Sequence, residues 1–183
     1  MMMKSLVAAL FVAQAIWVPY ALAIDVDDGF GSYKDADQQT KLIACEKAIY
    51  ERNWFTYERD LLLKGGLSTQ QAEAAYEEMK EASLREMFFT ALARRADDDA
   101  YSGRLKQVDA SMFDMYERDA AAAVQEYKRL GEYCLTHVYP TLIARNSELA
   151  ELDTSIRSLR IPGELAKAAK AEFIMSATKR AVK

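Results

Sequence analysis

The sequence predicts an all-α protein, an up-and-down bundle of four main helices plus a shorter C-terminal helix, and three observations carry that reading. After residue 23 only two prolines occur, Pro140 and Pro162, and β-branched residues never cluster. From residue 35 onward, apolar side chains recur at spacings of three, four and seven, the period of one helix face. Glycine and capping residues then punctuate the chain where helices are expected to turn.

The N-terminus reads as a cleavable export signal, 1–23. Lys4 supplies its positive charge, and 6–18 form an apolar run of 13 residues broken only by Gln14. Ala21-Leu22-Ala23 places small residues where a signal peptidase reads them. The run is shorter than the roughly 20 residues needed to span a hydrocarbon core of about 30 Å. Ile24 and not a cysteine directly follows the cleavage point, the next cysteine being Cys45, which argues against a lipid anchor. The mature chain is therefore expected to begin at Ile24 and to work in the periplasm or as a secreted protein.

Residues 24–34 are acidic, contain Gly29 and Gly31, and are expected to be a flexible, solvated N-terminus ahead of a single helical domain, 35–183. Asp25, Asp27 and Asp28 resemble the start of a calcium loop, but the glycine comes one place early and the twelfth position is Ala36 instead of Glu.

A first helix is expected over 35–64, with Ile43, Tyr50, Trp54, Tyr57 and Leu61 on one stripe. Gly65-Gly66 ends it, since glycine tolerates the left-handed conformation past a helix C-terminus. Ser68 with Gln71 forms the pattern of a capping box, opening a second helix that carries Tyr76, Met79, Met87 and Ala91 and fades near Arg95. Residues 97–103 are expected as a connection. A third helix has the most regular pattern: Tyr116, Ala120, Ala123, Tyr127, Leu130 and Cys134 follow by 4, 3, 4, 3 and 4, a heptad seam expected to be buried. Pro140 lacks an amide hydrogen and crowds the preceding turn, placing a kink near 137–139. Leu142, Leu149, Leu152, Ile156 and Leu159 resume the stripe. Ile161-Pro162-Gly163 precedes a basic C-terminal helix, net +3 over 164–183, with Leu165, Ala169 and Phe173 as its apolar face. Tyr57-Glu58-Arg59-Asp60 recurs as Tyr116-Glu117-Arg118-Asp119, and Tyr50-Glu51-Arg52-Asn53 is a near copy; four residues recur easily in such a chain, and no solenoid period is present.

The chain carries a net charge of −4, with one histidine and two cysteines. An acidic protein is a poor polyanion binder, so nucleic acid is not an expected partner. Cys45 and Cys134 are expected to form a disulfide in an exported protein. Closing a loop of about 90 residues contributes roughly 4.6 kcal/mol in the chain-entropy model.

His137, three residues after Cys134, suggests a Cys2His metal site with Cys45, but no fourth ligand is identifiable and exported thiols oxidise. Haem attachment needs Cys-x-x-Cys-His, which is absent, and nothing singles out Met79, Met87, Met112, Met115 or Met175 as a partner for His137. A di-iron site needs two Glu-x-x-His motifs, beyond the reach of a single histidine. No Gly-x-Ser-x-Gly occurs, and carboxylates such as Glu81 have i,i+4 bases such as Arg85. The sequence thus assigns no catalytic residue, no cofactor and no metal ligand. It favours a non-catalytic protein-binding factor of inhibitor, immunity or adaptor type. A helical-bundle carrier of a metal, haem or apolar ligand is the alternative, and contact of the basic C-terminal helix with anionic membranes a third reading.

Overall fold

A computed structural model describes residues 28–159 and 163–179. The expected export signal, the start at Ile24 and Pro162 lie outside the described residues. Within them the chain is an all-α helical bundle with no strand, and no helix is long and apolar enough to cross a membrane.

A short 3-10 segment, Asp28–Tyr33, comes first. It lies within the stretch expected to be solvated, yet Phe30 is fully buried, with its ring edge-on to Tyr133. Helix α1, Gln38–Asn53, begins where the Asp37 carboxylate accepts the Thr40 amide hydrogen, three residues later than expected. It runs without a break into a π-helical segment, Trp54–Leu61, and a last turn, α2 (Leu62–Lys64). Gly65, at φ 56°, ends the rod as the sequence predicts.

Helix α3, Thr69–Ala96, opens with both arms of the capping box: the Gln71 amide donates to Ser68 Oγ, and the Ser68 amide to Gln71 Oε1. The connection expected over 97–103 does not exist. Asp97 alone joins α3 to α4 (Asp98–Arg118), its backbone extended and its carboxylate accepting the Ala100 amide. The same device cuts the expected third helix: Asp119 ends α4 and caps α5 (Ala120–Tyr133). It recurs at Asn146, between α6 (Tyr139–Arg145) and α7 (Ser147–Arg157). Each of these residues closes one helix and caps the next without positive φ, so no glycine marks the joint.

The kink expected at Pro140 takes the form of a second π turn, Cys134–Val138. The Tyr139 amide bonds back to the Cys134 carbonyl, five residues away. The next such bond would come from Pro140 to Leu135, and proline has no hydrogen to give. Arg85 of α3 donates to that Leu135 carbonyl instead, at 3.3 Å.

Helix α1 is the hub. It packs against α3, α5 and α4, burying Leu42, Ile43, Ala44, Cys45, Ala48 and Ile49 against Phe88, Phe89, Leu130 and Val108. Where α1 meets α5 the backbones approach closely: a Cβ on Gly131 would lie 2.7 Å from the Ala48 carbonyl oxygen. Helix α8, Gly163–Thr178, rests on α3 and α2, and a smaller cluster of Tyr57, Ala72, Ala75, Phe173 and Ala177 holds it there.

The expected stripes need correction, Met87 and Leu159 among them being exposed. Tyr50 and Trp54 are exposed while Ile43 and Tyr57 are buried. In the heptad seam Ala123, Tyr127, Leu130 and Cys134 are buried, but Tyr116 and Ala120, on either side of the Asp119 joint, are exposed. On α8 only Phe173 of the three named residues is covered; Leu165 and Ala169 face solvent.

Candidate functional site

Cys45 of α1 and Cys134, the first residue of the second π turn, are brought together as the sequence predicts. Their sulfurs lie 2.04 Å apart and their Cα atoms 5.6 Å apart, and both residues are fully buried. With both sulfurs so engaged, the Cys2His metal site loses its thiolates. His137 is turned out to the surface by the π turn, stacked on Tyr133 at 5.2 Å with its Nδ1 2.8 Å from Thr136 Oγ1. Among the described residues no group of three or more His, Cys, Asp or Glu side chains is placed to hold a metal ion.

The feature the sequence did not announce lies at the C-terminal end of α1. A π turn holds more residues than an α turn, so the 3.6-residue stripe along α1 loses register over Trp54–Leu61. Phe55 and Tyr57 turn inward, while Trp54, at the start of the segment and one turn beyond the exposed Tyr50, is 40% exposed. Beneath it, Phe55 stacks on Tyr116 at 6.3 Å, tilts against Tyr127 at 6.3 Å and carries the Arg59 guanidinium at 4.9 Å. Tyr127 donates its hydroxyl hydrogen to the Met112 carbonyl, which fixes α5 to α4 under the cleft. Burial pushes the Tyr127 phenol up to about 12, so it stays a donor across the physiological range.

Trp54 divides two clefts. The first, about 590 Å³, is walled by Trp54, Phe55, Met112, Phe113, Tyr116 and Tyr127, with the carboxylates of Glu51 and Asp109 also lining it. Phe113 is 59% exposed and Tyr116 39%. Asp109 pairs with Lys47 at 2.9 Å. Burial raises the Glu51 carboxyl above its ordinary range, against the opposing pull of Lys47. The second cleft, about 320 Å³, lies between the π segment and α3. Its walls are Tyr50, Trp54, Met79 and Met87, and its polar groups are Asn53, Glu58, Ser83 and Glu86.

Neither the family models, nor the curated proteins, nor the solved structures contain a match to this chain. Its function must be read from the site itself.

The sequence held no specific signal for these clefts. Trp54-Phe55 and Met112-Phe113 are adjacent large apolar pairs on helices, but the adjacent Phe88-Phe89 is fully buried, so adjacency does not mark an exposed member. The Tyr-Glu-Arg repeats carry no shared role: Tyr57 is buried with its hydroxyl on Glu78, whereas Tyr50 and Tyr116 are exposed beside the two clefts.

Proposed function

We propose that this chain is an exported, non-catalytic protein-binding factor. Its first cleft would dock the apolar face of a basic amphipathic helix from a partner protein. One observation carries the reading: Trp54, Phe113 and Tyr116 stand exposed around a single cleft although the core has no need of them. Scattered apolar side chains on a surface mean little, but a contiguous aromatic patch is the usual mark of an interaction site. Aromatic side chains are also the anchors that most often dominate binding energy.

The charge of the site selects the partner's sign. Glu51 and Asp109 line the cleft, the whole chain is net −4, and carboxylates beside an apolar groove favour a helix with lysine or arginine flanking its apolar stripe. Periplasmic or secreted location follows from the expected signal over 1–23 and suits a buried Cys45–Cys134 bridge. A carrier would enclose its ligand between helices; a cleft whose aromatic walls are this exposed suits a protein partner better.

Trp54 is the only tryptophan after residue 23, so its fluorescence reports on the cleft directly. A helical Leu/Lys peptide is expected to shift that emission saturably in the exported protein, and a Leu/Glu peptide of equal length to leave it unchanged. Phe113→Ser keeps every charge and should abolish the shift. Binding that survives in Phe113→Ser would reduce the interaction to bulk electrostatics and sink the reading. A stoichiometric small molecule in an organic extract of the purified protein would promote the carrier alternative.

A further inference from the structure

We propose that the second cleft is the other half of the docking surface, so that one basic amphipathic helix lies across α3, α1 and α4 and straddles Trp54. This placement rests on the helix-docking reading and extends it, fixing where the partner's two apolar anchors sit and how long its helix must be.

The exposed apolar side chains are not scattered. Tyr50, Trp54, Met87, Phe113 and Tyr116 are all exposed, and each lines one or both of the clefts. Leu63, Leu159, Leu165 and Met175, the other large apolar side chains exposed among the described residues, line neither. Single apolar residues on a surface need no explanation, whereas a contiguous set drawn from three helices and rimmed by polar groups has the make-up of an interface. Trp54 belongs to both clefts. A partner that covered its indole from the first cleft alone would leave Tyr50 and Met87, on its other side, in water.

Topology opens the surface at this end of the bundle. Helices α3 and α4 meet at Asp97, where Gln39, near the start of α1, donates to the Ala93 and Asp97 carbonyls. Trp54 stands past the other end of α1, with the second cleft between it and α3 and the first between it and α4. Packed helices lie about 8–10 Å apart, so the path from α3 over α1 to α4 is at most about 20 Å, the length of roughly 13 residues of helix. A partner helix of that size reaches Met87 with one end and Phe113 with the other. Midway it needs a small residue, because the Trp54 indole divides the clefts there.

Charge selects the occupant. No lysine or arginine lines either cleft, whereas Glu51 and Asp109 line the first and Glu58 and Glu86 the second. A second copy of this chain would bring the same carboxylates face to face. A helix with lysine or arginine beside its apolar residues complements the surface along its whole length.

The test uses a Leu/Lys peptide of about 14 residues, with leucines in both halves and alanine at the centre, and protein labelled with 13C at the methionine methyls. It is run at pH 8, where Glu86, pushed up to about 7 by burial, is ionised. Trp54 emission and the Met79 and Met87 methyl signals should move together on one saturation curve, while Met175, on α8, stays still. Met87→Gln changes an exposed side chain of α3 and leaves the first cleft intact; it should weaken binding about tenfold. Two control peptides, with glutamine for the leucines of one half or of the other, should each bind at least about tenfold more weakly than the full helix. Either control binding as tightly as the full helix, unaltered affinity in Met87→Gln, or still methionine signals while Trp54 responds would overturn the proposal and leave docking at the first cleft standing. A dimer of the free protein that Met87→Gln dissociates would overturn it in favour of a second copy. A Trp54 that does not respond at all removes the docking reading, and this extension with it.

Discussion

Alanine at Gly103 should stabilise the protein and alanine at Gly131 should not, although the substitution is the same and both glycines lie inside helices. At Gly103 of α4 an added Cβ meets nothing within 4 Å. The gain is then the unfolded-state entropy and helix propensity of alanine, about 0.4–1 kcal/mol. At Gly131 the same gain is set against contacts of 2.7 Å to the Ala48 carbonyl oxygen and 3.0 Å to the Arg52 Cβ. Backbone at that distance must move, and overpacking of this kind costs about 1–3 kcal/mol.

The means of relief is restricted, because Cys45 and Cys134 join the two helices one turn away from Ala48 and Gly131. Gly131→Ala should therefore come out between neutral and about 2.6 kcal/mol destabilised, and below Gly103→Ala by roughly 1–3 kcal/mol. Propensity cancels between the two, so the difference isolates the close approach of α1 and α5. Urea melts followed by far-ultraviolet circular dichroism measure it. Equal stabilisation in both variants would mean that α1 and α5 do not approach through Gly131, and the placement of the hub helix would fail with it.

Two further expectations rest on burial. The Cys45–Cys134 bridge has both residues fully covered, so dithiothreitol should leave it intact in the folded protein and reduce it once urea opens the chain, read by alkylation and mass spectrometry; rapid reduction without denaturant would refute the packing. The reduced protein should lose up to about 4.6 kcal/mol of stability. Burial, reinforced by the Glu46 charge and opposed by Lys47, pushes the Glu86 carboxyl up to about 7 from an ordinary 4.5. Between those values the folded state keeps a proton that the unfolded chain has released, so stability should fall as pH rises from about 5 to about 8. Glu46 and Glu51 are raised as well and act in the same sense. Glu86→Gln should flatten the slope and melt higher than the parent at pH 8; an unchanged pH profile in that variant would refute the assignment.

What the sequence conveyed about the fold was whatever local chemistry decides. Ser68 and Gln71 carry their own hydrogen-bonding instructions within four residues, Gly65 supplies a conformation other residues avoid, and Pro140 removes a donor wherever it stands. The joints at Asp97, Asp119 and Asn146 were not legible for the converse reason. Each is an ordinary residue in extended backbone, and aspartate on a helical surface looks the same in sequence whether it caps a helix or faces water. The heptad seam was misread at Tyr116 and Ala120 because their spacing continues the pattern across a joint that reorients the chain.

Periodicity misplaced the candidate site residues as well, and the π turn at Cys134–Val138 shows one way in which it fails. A stripe argument assumes constant pitch along a rod, and one inserted residue shifts every later side chain around the axis. At Cys134–Val138 the shift carries His137 off the buried seam, which removed the one residue that had pointed to a metal. Trp54, at the start of the other π segment, continues the exposed side that Tyr50 already occupies one turn upstream, and its indole stands between two clefts. The bridge and the Gly131 contact anchor α1 upstream of that segment, so Trp54 projects from a braced helix instead of a loop. A binding residue held on a rigid element loses little conformational entropy when it is covered, and that is the physical ground for expecting a partner there.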